Sequence, residues 1–316
     1  LQEWTTAGPS GLALDRTQAR LSVVKESETT NRWIRLAKSC IGDAEKQAVL
    51  GVLDREYLGM GAEVQEFEAA LSGFFERPAT CVVNGTAALH LALQACGIGQ
   101  GDEVLVPSLT FVASFQAIRA TGAVPVPCDI DPVTYTLDCE DASQRITSAT
   151  RAVMPVHYAG GVGELDEIYS MADSAGLRVI EDAAHAFGTT MNGLRIGSFG
   201  DISCFSFDGI KNITSGEGGC VVSDDHVVIE RVRQFRSLGL ITERQADPSR
   251  GILPELNVQE QGWRYHMSNV MAAIGIQQFH RRSDFANKRR ELARVYDRLL
   301  GELGMVVPIP HDYEEV

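Results

Sequence analysis

Lys211 lies in the stretch Asp201–Gly219, DISCFSFDGIKNITSGEGG. It follows a short alternating apolar run (Ile202, Cys204, Phe205, Phe207) that reads as a strand, and sits in a turn rich in Asp, Gly and Asn. The chain has five lysines, at 25, 38, 46, 211 and 288, against twenty-three arginines, so Lys211 stands alone across the middle of the sequence. A lysine on a strand-exit turn between apolar residues can be partly desolvated. Its pKa then falls from about 10.4, and the freed amine becomes a nucleophile that can hold a carbonyl as a Schiff base. A solvated loop lysine would look the same from this stretch alone.

Other residues invite similar questions. Asn84-Gly85-Thr86-Ala87 opens a helix directly after an apolar run, which suits either an anion held by free N–H groups or an ordinary N-cap. Asp182 closes the apolar run Arg178–Ile180, one place past Glu181, where a carboxylate can pair with a protonated ring nitrogen, cap a helix or face water. His185 follows three residues on, in a catalytic or a structural role. Phe111 begins a helix after Pro107-Ser-Leu-Thr110, placed to stack on a flat ring or to fill core. Ser206, next to Phe207, can donate to phosphate. Together these supply a lysine for an aldehyde, an acid for a pyridinium nitrogen, a helix start for a phosphate and an aromatic for a ring. Pyridoxal 5′-phosphate needs all four.

The elements that must hold them alternate in type. Asp43–Arg55 and Glu63–Phe75 have helical apolar spacing. Short runs at Thr80–Val83, Glu103–Val106, Val124–Pro127, Ala152–Val156, Arg178–Ile180 and Cys220–Ser223 read as strands. Helical segments at Thr86–Cys96, Phe111–Ala120, Leu165–Ala175 and Val227–Leu238 are interleaved with them. This order predicts an α/β fold built on a mainly parallel, seven-stranded-type sheet sandwiched by helices, with ligands at the carboxyl ends of the strands. Residues 1–30, polar and aperiodic, read as an arm; 31–245 as the large domain; 246–316 as a smaller, incomplete C-terminal α+β domain. The polar stretch Thr242–Gln261 reads as irregular and Ser268–Leu300 as one long helix. Gly97-Ile-Gly99-Gln-Gly101 mimics a dinucleotide loop, but it follows a helix and precedes a strand, so it reads as a helix end and turn.

A formal net charge of −14 argues against a general nucleic-acid or anionic-membrane binder. The seven cysteines are odd in number, lie mainly in apolar runs and include no Cys-x-x-Cys pair, which points to a reducing, cytoplasmic setting and to no metal site. Neither a membrane-spanning run nor a signal-peptide core is present.

Seven stretches carry a resemblance: YLGMG (57–61), NGTAALHLAL (84–93), PSLTF (107–111), PVHYAG (155–160), EDAAHAFG (181–188), SFDGIKNITSGEGG (206–219) and GWRYHMSN (262–269). In this order and spacing the chain resembles the nucleotide-sugar aminotransferases (DegT/StrS-like) among the fold-type I pyridoxal-phosphate enzymes. The resemblance implies a homodimer that transfers an amino group, from glutamate, to a nucleoside-diphosphate keto sugar, with a 4-keto-6-deoxyhexose the favoured acceptor. It implies that Lys211 binds the cofactor aldehyde and shuttles the proton, that Asp182 faces the pyridinium nitrogen and that His185 lies near the phenolic oxygen. Phe111 stacks on the ring; Gly85, Thr86, Ala87 and Ser206 hold the phosphate. Arg264 reaches the cofactor phosphate of a neighbouring subunit, and Tyr57, Arg264 and His266 lie on the substrate side.

Three departures stand out. Asp208 replaces a usual His, Arg264 a usual Asn, and relatives commonly continue well past a point like Val316 to complete a lid. A sugar dehydratase or a non-catalytic regulator on the same scaffold are the alternatives. Lys211 argues against the first, since the deoxygenating relatives carry histidine there, and the pair Lys211 and Asp182 argues against the second.

Overall fold

A computed structural model describes residues 35, 37–244, 255–304 and 313–314. All of these but Arg35 belong to one unit, Ala37–Val316. The expected N-terminal arm lies outside the described residues, as does the stretch 245–254 at the expected domain boundary.

Two helices, α1 (Asp43–Asp54) and α2 (Ala62–Phe75), lead into the alternating core of β1 (Ala79–Val82), α3 (Gly85–Ala95), β2 (Glu103–Pro107), α4 (Val112–Ala120), β3 (Val124–Cys128), α5 (Cys139–Gln144), β4 (Thr150–Val153), α6 (Leu165–Ala175) and β5 (Arg178–Asp182). A small hairpin, β6 (Thr190–Met191) and β7 (Leu194–Arg195), precedes β8 (Ile202–Ser206), β9 (Gly219–Ser223) and α7 (His226–Phe235). Then come β10 (Leu240–Arg244), β11 (Glu255–Val258), α8 (Asn269–His280), α9 (Arg282–Glu302) and β12 (Tyr313–Glu314), the last paired with β6.

The main sheet has seven strands in the order β1-β9-β8-β5-β4-β2-β3. Its pairs are parallel except those of β9, which runs against both β1 and β8. The exception has a local cause. Residues 207–218 join β8 to β9 without a crossover helix, and a chain that turns straight back can pair only antiparallel. That return loop carries Lys211 and must therefore lie at the carboxyl end of β8. Pro125 and Pro127 fall on β3, an edge strand, where a missing N–H leaves fewer partners unsatisfied.

Both faces of the sheet are covered, which is why β8 and β9 are buried along their whole length. One face packs α3, α4 and α7 through Leu91, Ile118 and Val232. The other packs α2 and α8 through Phe67, Leu71, Phe75 and Ile276, with the Phe75 and Phe205 rings stacked at 4.7 Å. Residues 64, 67, 71 and 75 are the buried positions of α2, as its apolar spacing requires.

The structure departs from expectation at three places. The expected strand Ala152–Val156 stops at Val153, ahead of Pro155, which cannot donate to a ladder; Val156 makes only an isolated bridge to Asp182. The expected helix Ser268–Leu300 is two helices, broken at Arg281 (φ −93°, ψ 2°). The stretch expected to be irregular, Thr242–Gln261, contributes to the β10–β11 hairpin. The glycine-rich decoy behaves as a helix end: Cys96 caps α3 and Gly97 takes φ +76°. All seven cysteines are free thiols.

Candidate functional site

A cavity of about 720 Å³ opens at the carboxyl ends of β2, β5 and β8, beside the start of α3. Gly85, Thr86, Phe111, Asp182, His185, Ser206 and Lys211 all line it, although they come from four separate stretches of sequence.

At one end stands α3. Asn84 caps the helix, its Oδ1 accepting the Ala87 N–H at 2.8 Å, so the amide of Ala87 is already satisfied. The N–H groups of Gly85 and Thr86 have no carbonyl one turn back to meet, and they carry the positive end of the helix dipole. Gly85 is there because nothing larger fits: a Cβ at this position would lie 2.8 Å from Ser206 Cβ and 3.2 Å from Ser206 Oγ. The close approach brings the helix start and the Ser206 hydroxyl into one anion cradle.

At the other end, β5 sorts two neighbouring acids. Glu181 and Asp182 alternate across the strand. Glu181 is bound by His157 Nε2 at 2.6 Å, by the Tyr169 hydroxyl at 2.6 Å and by Ser203 Oγ at 3.2 Å, a saturated structural network. Burial, and next the Glu181 charge, push the Tyr169 hydroxyl pKa up, so it stays a donor. Asp182, only 6% exposed, faces the cavity. Its Oδ2 accepts from Ser114 Oγ at 2.7 Å and its Oδ1 from the Ala184 N–H at 3.3 Å.

Lys211 is held by its backbone. Its N–H donates to Asp208 O at 3.1 Å, and Arg289 of α9 donates to the carbonyls of Lys211 (3.1 Å) and Asn212 (2.9 Å). Burial lowers the Lys211 pKa, while Asp182 and Asp208 pull it back up. The net fall favours the free amine. His185 accepts the Ala159 N–H on Nδ1 at 3.3 Å, which leaves Nε2 to carry the proton of the neutral ring. Burial first and Lys211 second lower its pKa, against the pull of Asp182, so the neutral ring is favoured. Asp208 and Glu217 line the same wall, and burial, then Asp208, raises the Glu217 pKa. Phe111, the N-cap of α4, leaves its ring 74% exposed at the cavity edge, which rules out a core role.

The remaining expected residues lie elsewhere. Ala87 is buried behind the helix start. Tyr57 is 62% exposed, near Met60 and Asn269. Arg264 bridges to Ser237 through its backbone, and neither it nor His266 lines the cavity. Burial, then Arg264 and Arg236, lowers the His266 pKa. Thr110, His157, Tyr158 and Glu217 also line the cavity without having been given a role. All four fall inside the stretches that carry the resemblance, and that is their only signal in the sequence.

The donor set fits pyridoxal 5′-phosphate: two helix-start amides and a hydroxyl for the phosphate, a buried acceptor-only carboxylate for a pyridinium, a half-buried amine for the aldehyde and an exposed flat ring. Substituting Gly85→Ala forces Ser206 away from the helix start, and the affinity for pyridoxal phosphate is expected to fall about tenfold, read by fluorescence titration of the apoprotein.

The DegT/DnrJ/EryC1/StrS aminotransferase family matches residues 39–316. The chain is 40% identical over 280 residues to the GDP-perosamine synthase of Escherichia coli O157:H7, covering 87% of this chain and 73% of that one. It is 39% identical over 280 residues to the GDP-perosamine synthase of Caulobacter vibrioides, covering 88% and 73%. The solved sugar aminotransferase CalS13 of Micromonospora echinospora superposes with a TM-score of 0.80 at 33% identity, over 90% of this chain and 78% of that one. The match across nearly the whole described chain, and the pyridoxal-phosphate dependence it brings, agree with the cavity built from Lys211, Asp182 and the start of α3. The chain belongs to the DegT/DnrJ/EryC1/StrS aminotransferase family.

Proposed function

We propose that this aminotransferase carries an amino group from glutamate to a GDP-linked 4-keto-6-deoxyhexose, working as a cytoplasmic homodimer. The observation that carries the catalytic part is the placement of Lys211, Asp182 and the α3 start on one cavity. The sugar rests on the two similar proteins named for GDP-perosamine, a 4-amino-4,6-dideoxyhexose. The dimer rests on the resemblance, which assigns Arg264 to the cofactor phosphate of a neighbouring copy; Arg264 is not among the residues that line this cavity.

Pyridoxal 5′-phosphate supplies the electron sink for the carbanion of the amino donor. Gly85, Thr86 and Ser206 bind its phosphate, and Phe111 covers one ring face. Asp182 holds a proton on the ring nitrogen, because an acceptor-only carboxylate at that place favours the charged pyridinium. His185, with its proton on Nε2, donates to the phenolic oxygen. Lys211 Nζ, its pKa lowered by burial, takes the proton from the donor carbon and returns one to the acceptor carbon. Among the described residues no helix is long and apolar enough to cross a membrane, in keeping with a soluble nucleotide-sugar substrate.

The test is an absorbance spectrum of the purified protein with pyridoxal phosphate, before and after glutamate, followed by mass analysis of the product from a GDP-linked 4-keto-6-deoxyhexose. A visible band that bleaches with glutamate, and a GDP-linked amino sugar as product, are the expected results. A band that ignores glutamate overturns the donor, and an unchanged GDP-sugar overturns the acceptor.

A further inference from the structure

Asp182 does not stand alone in the cavity wall. Ser114, the third residue of α4, is completely buried, and its Oγ lies 2.7 Å from Asp182 Oδ2. Thr110, at the cavity wall four residues earlier, places its Oγ1 2.7 Å from the same Ser114 Oγ. The direction of each bond follows from the chemistry of the groups. An ionised carboxylate can only accept, so the single Ser114 proton goes to Asp182. Ser114 Oγ is left as an acceptor, and Thr110 must be the donor to it. The competing use of the Ser114 hydroxyl, a bond back to the Phe111 carbonyl, is stretched to 3.4 Å.

A carboxylate turns easily about its last torsion, since terminal sp³–sp² rotations are broad. Asp182 is pinned on both oxygens, by Ser114 on Oδ2 and by the Ala184 N–H on Oδ1. Its carboxylate plane is thereby set, and the lone pairs not taken by the protein face the cavity. Burial makes an unpaired carboxylate oxygen costly, so the serine also removes a desolvation penalty.

We infer that Ser114, itself oriented by Thr110, is a positioning residue that aligns the Asp182 carboxylate with the cofactor ring nitrogen. The inference rests on the cofactor reading above and extends it to two hydroxyls on the α4 side of the cavity. The pair couples the loop after β2 to the acid at the end of β5, so a shift in the loop changes how that acid meets its partner.

Four proteins decide the matter: wild type, Ser114→Ala, Thr110→Val and Asp182→Asn. Each is titrated with pyridoxal phosphate for affinity, and the visible band of each loaded protein is titrated with pH. Ser114→Ala deletes one oxygen, and its apoprotein is expected to keep the wild-type circular dichroism. Its cofactor affinity is expected to fall about tenfold, the loss of a hydrogen bond to a charged group. The midpoint of its visible-band titration moves in the same direction as in Asp182→Asn, by a smaller amount, and Thr110→Val moves it less again. Weakened affinity with an unmoved midpoint means that Ser114 only packs, and overturns the inference. Wild-type behaviour of Ser114→Ala beside an impaired Asp182→Asn overturns it as well, while leaving the site reading intact. If Asp182→Asn itself matches wild type, the site reading fails.

Discussion

Replacing Lys211 by alanine is expected to lower amino transfer by at least about a thousandfold and to abolish the visible band of the loaded protein. Two roles end in one substitution: the covalent hold on the aldehyde and the proton transfer between donor and acceptor carbons, each worth orders of magnitude. The fold should survive. The loop backbone is fixed by Arg289 through the carbonyls of residues 211 and 212, and by the turn to Asp208, and none of these contacts uses the lysine side chain. Pyridoxal phosphate should still bind, through the α3 start, Ser206 and Asp182, so binding and chemistry separate in this variant. A melting temperature close to wild type, retained cofactor affinity of at least micromolar order and loss of turnover constitute the expected set. Turnover above a tenth of wild type would refute the assignment of Lys211.

Asp182→Asn is expected to cost about a hundredfold to a thousandfold in kcat, the range for removing one preorganised electrostatic partner of a developing charge. Asparagine is nearly isosteric, and its amide oxygen in the Oδ2 place can still accept from Ser114, while its NH2 in the Oδ1 place gives up the longer bond from the Ala184 N–H. What it lacks is the negative charge that favours a protonated ring nitrogen. The electron sink weakens, so the loss falls on kcat, while KM for the sugar, to which this reading gives Asp182 no contact, stays within a few-fold. The check is steady-state kinetics together with the pH titration of the visible band. An unchanged kcat would show that some other group serves the ring nitrogen.

Much of this was legible in the amino-acid order. The period of apolar residues marked α2 and α6, because burial on one face of a helix is a local demand. Lys211 stood out by its isolation among arginines. The decoy Gly97-Ile-Gly99-Gln-Gly101 could be dismissed from its place between a helix and a strand. The resemblance named the family, and the family match agrees.

Other features needed the folded chain. Which of Glu181 and Asp182 faces the ligand depends on the pleat of β5 and on what lies to either side: His157, Tyr169 and Ser203 close around one acid, and the cavity opens beside the other. Ser114 gave no signal, for its partner is 68 residues away and is met only because α4 and β5 converge at the same sheet end. Nor did the sequence disclose the break at Arg281, where apolar spacing runs on across a turn that the helical period cannot see. Composition, periodicity and the succession of elements are properties of neighbours along the chain, and the sequence determined them by itself. Strand order, the direction of β9 and the hydrogen bonds that aim Asp182 arise between residues distant in sequence, so only the packing of the sheet and its helices could decide them.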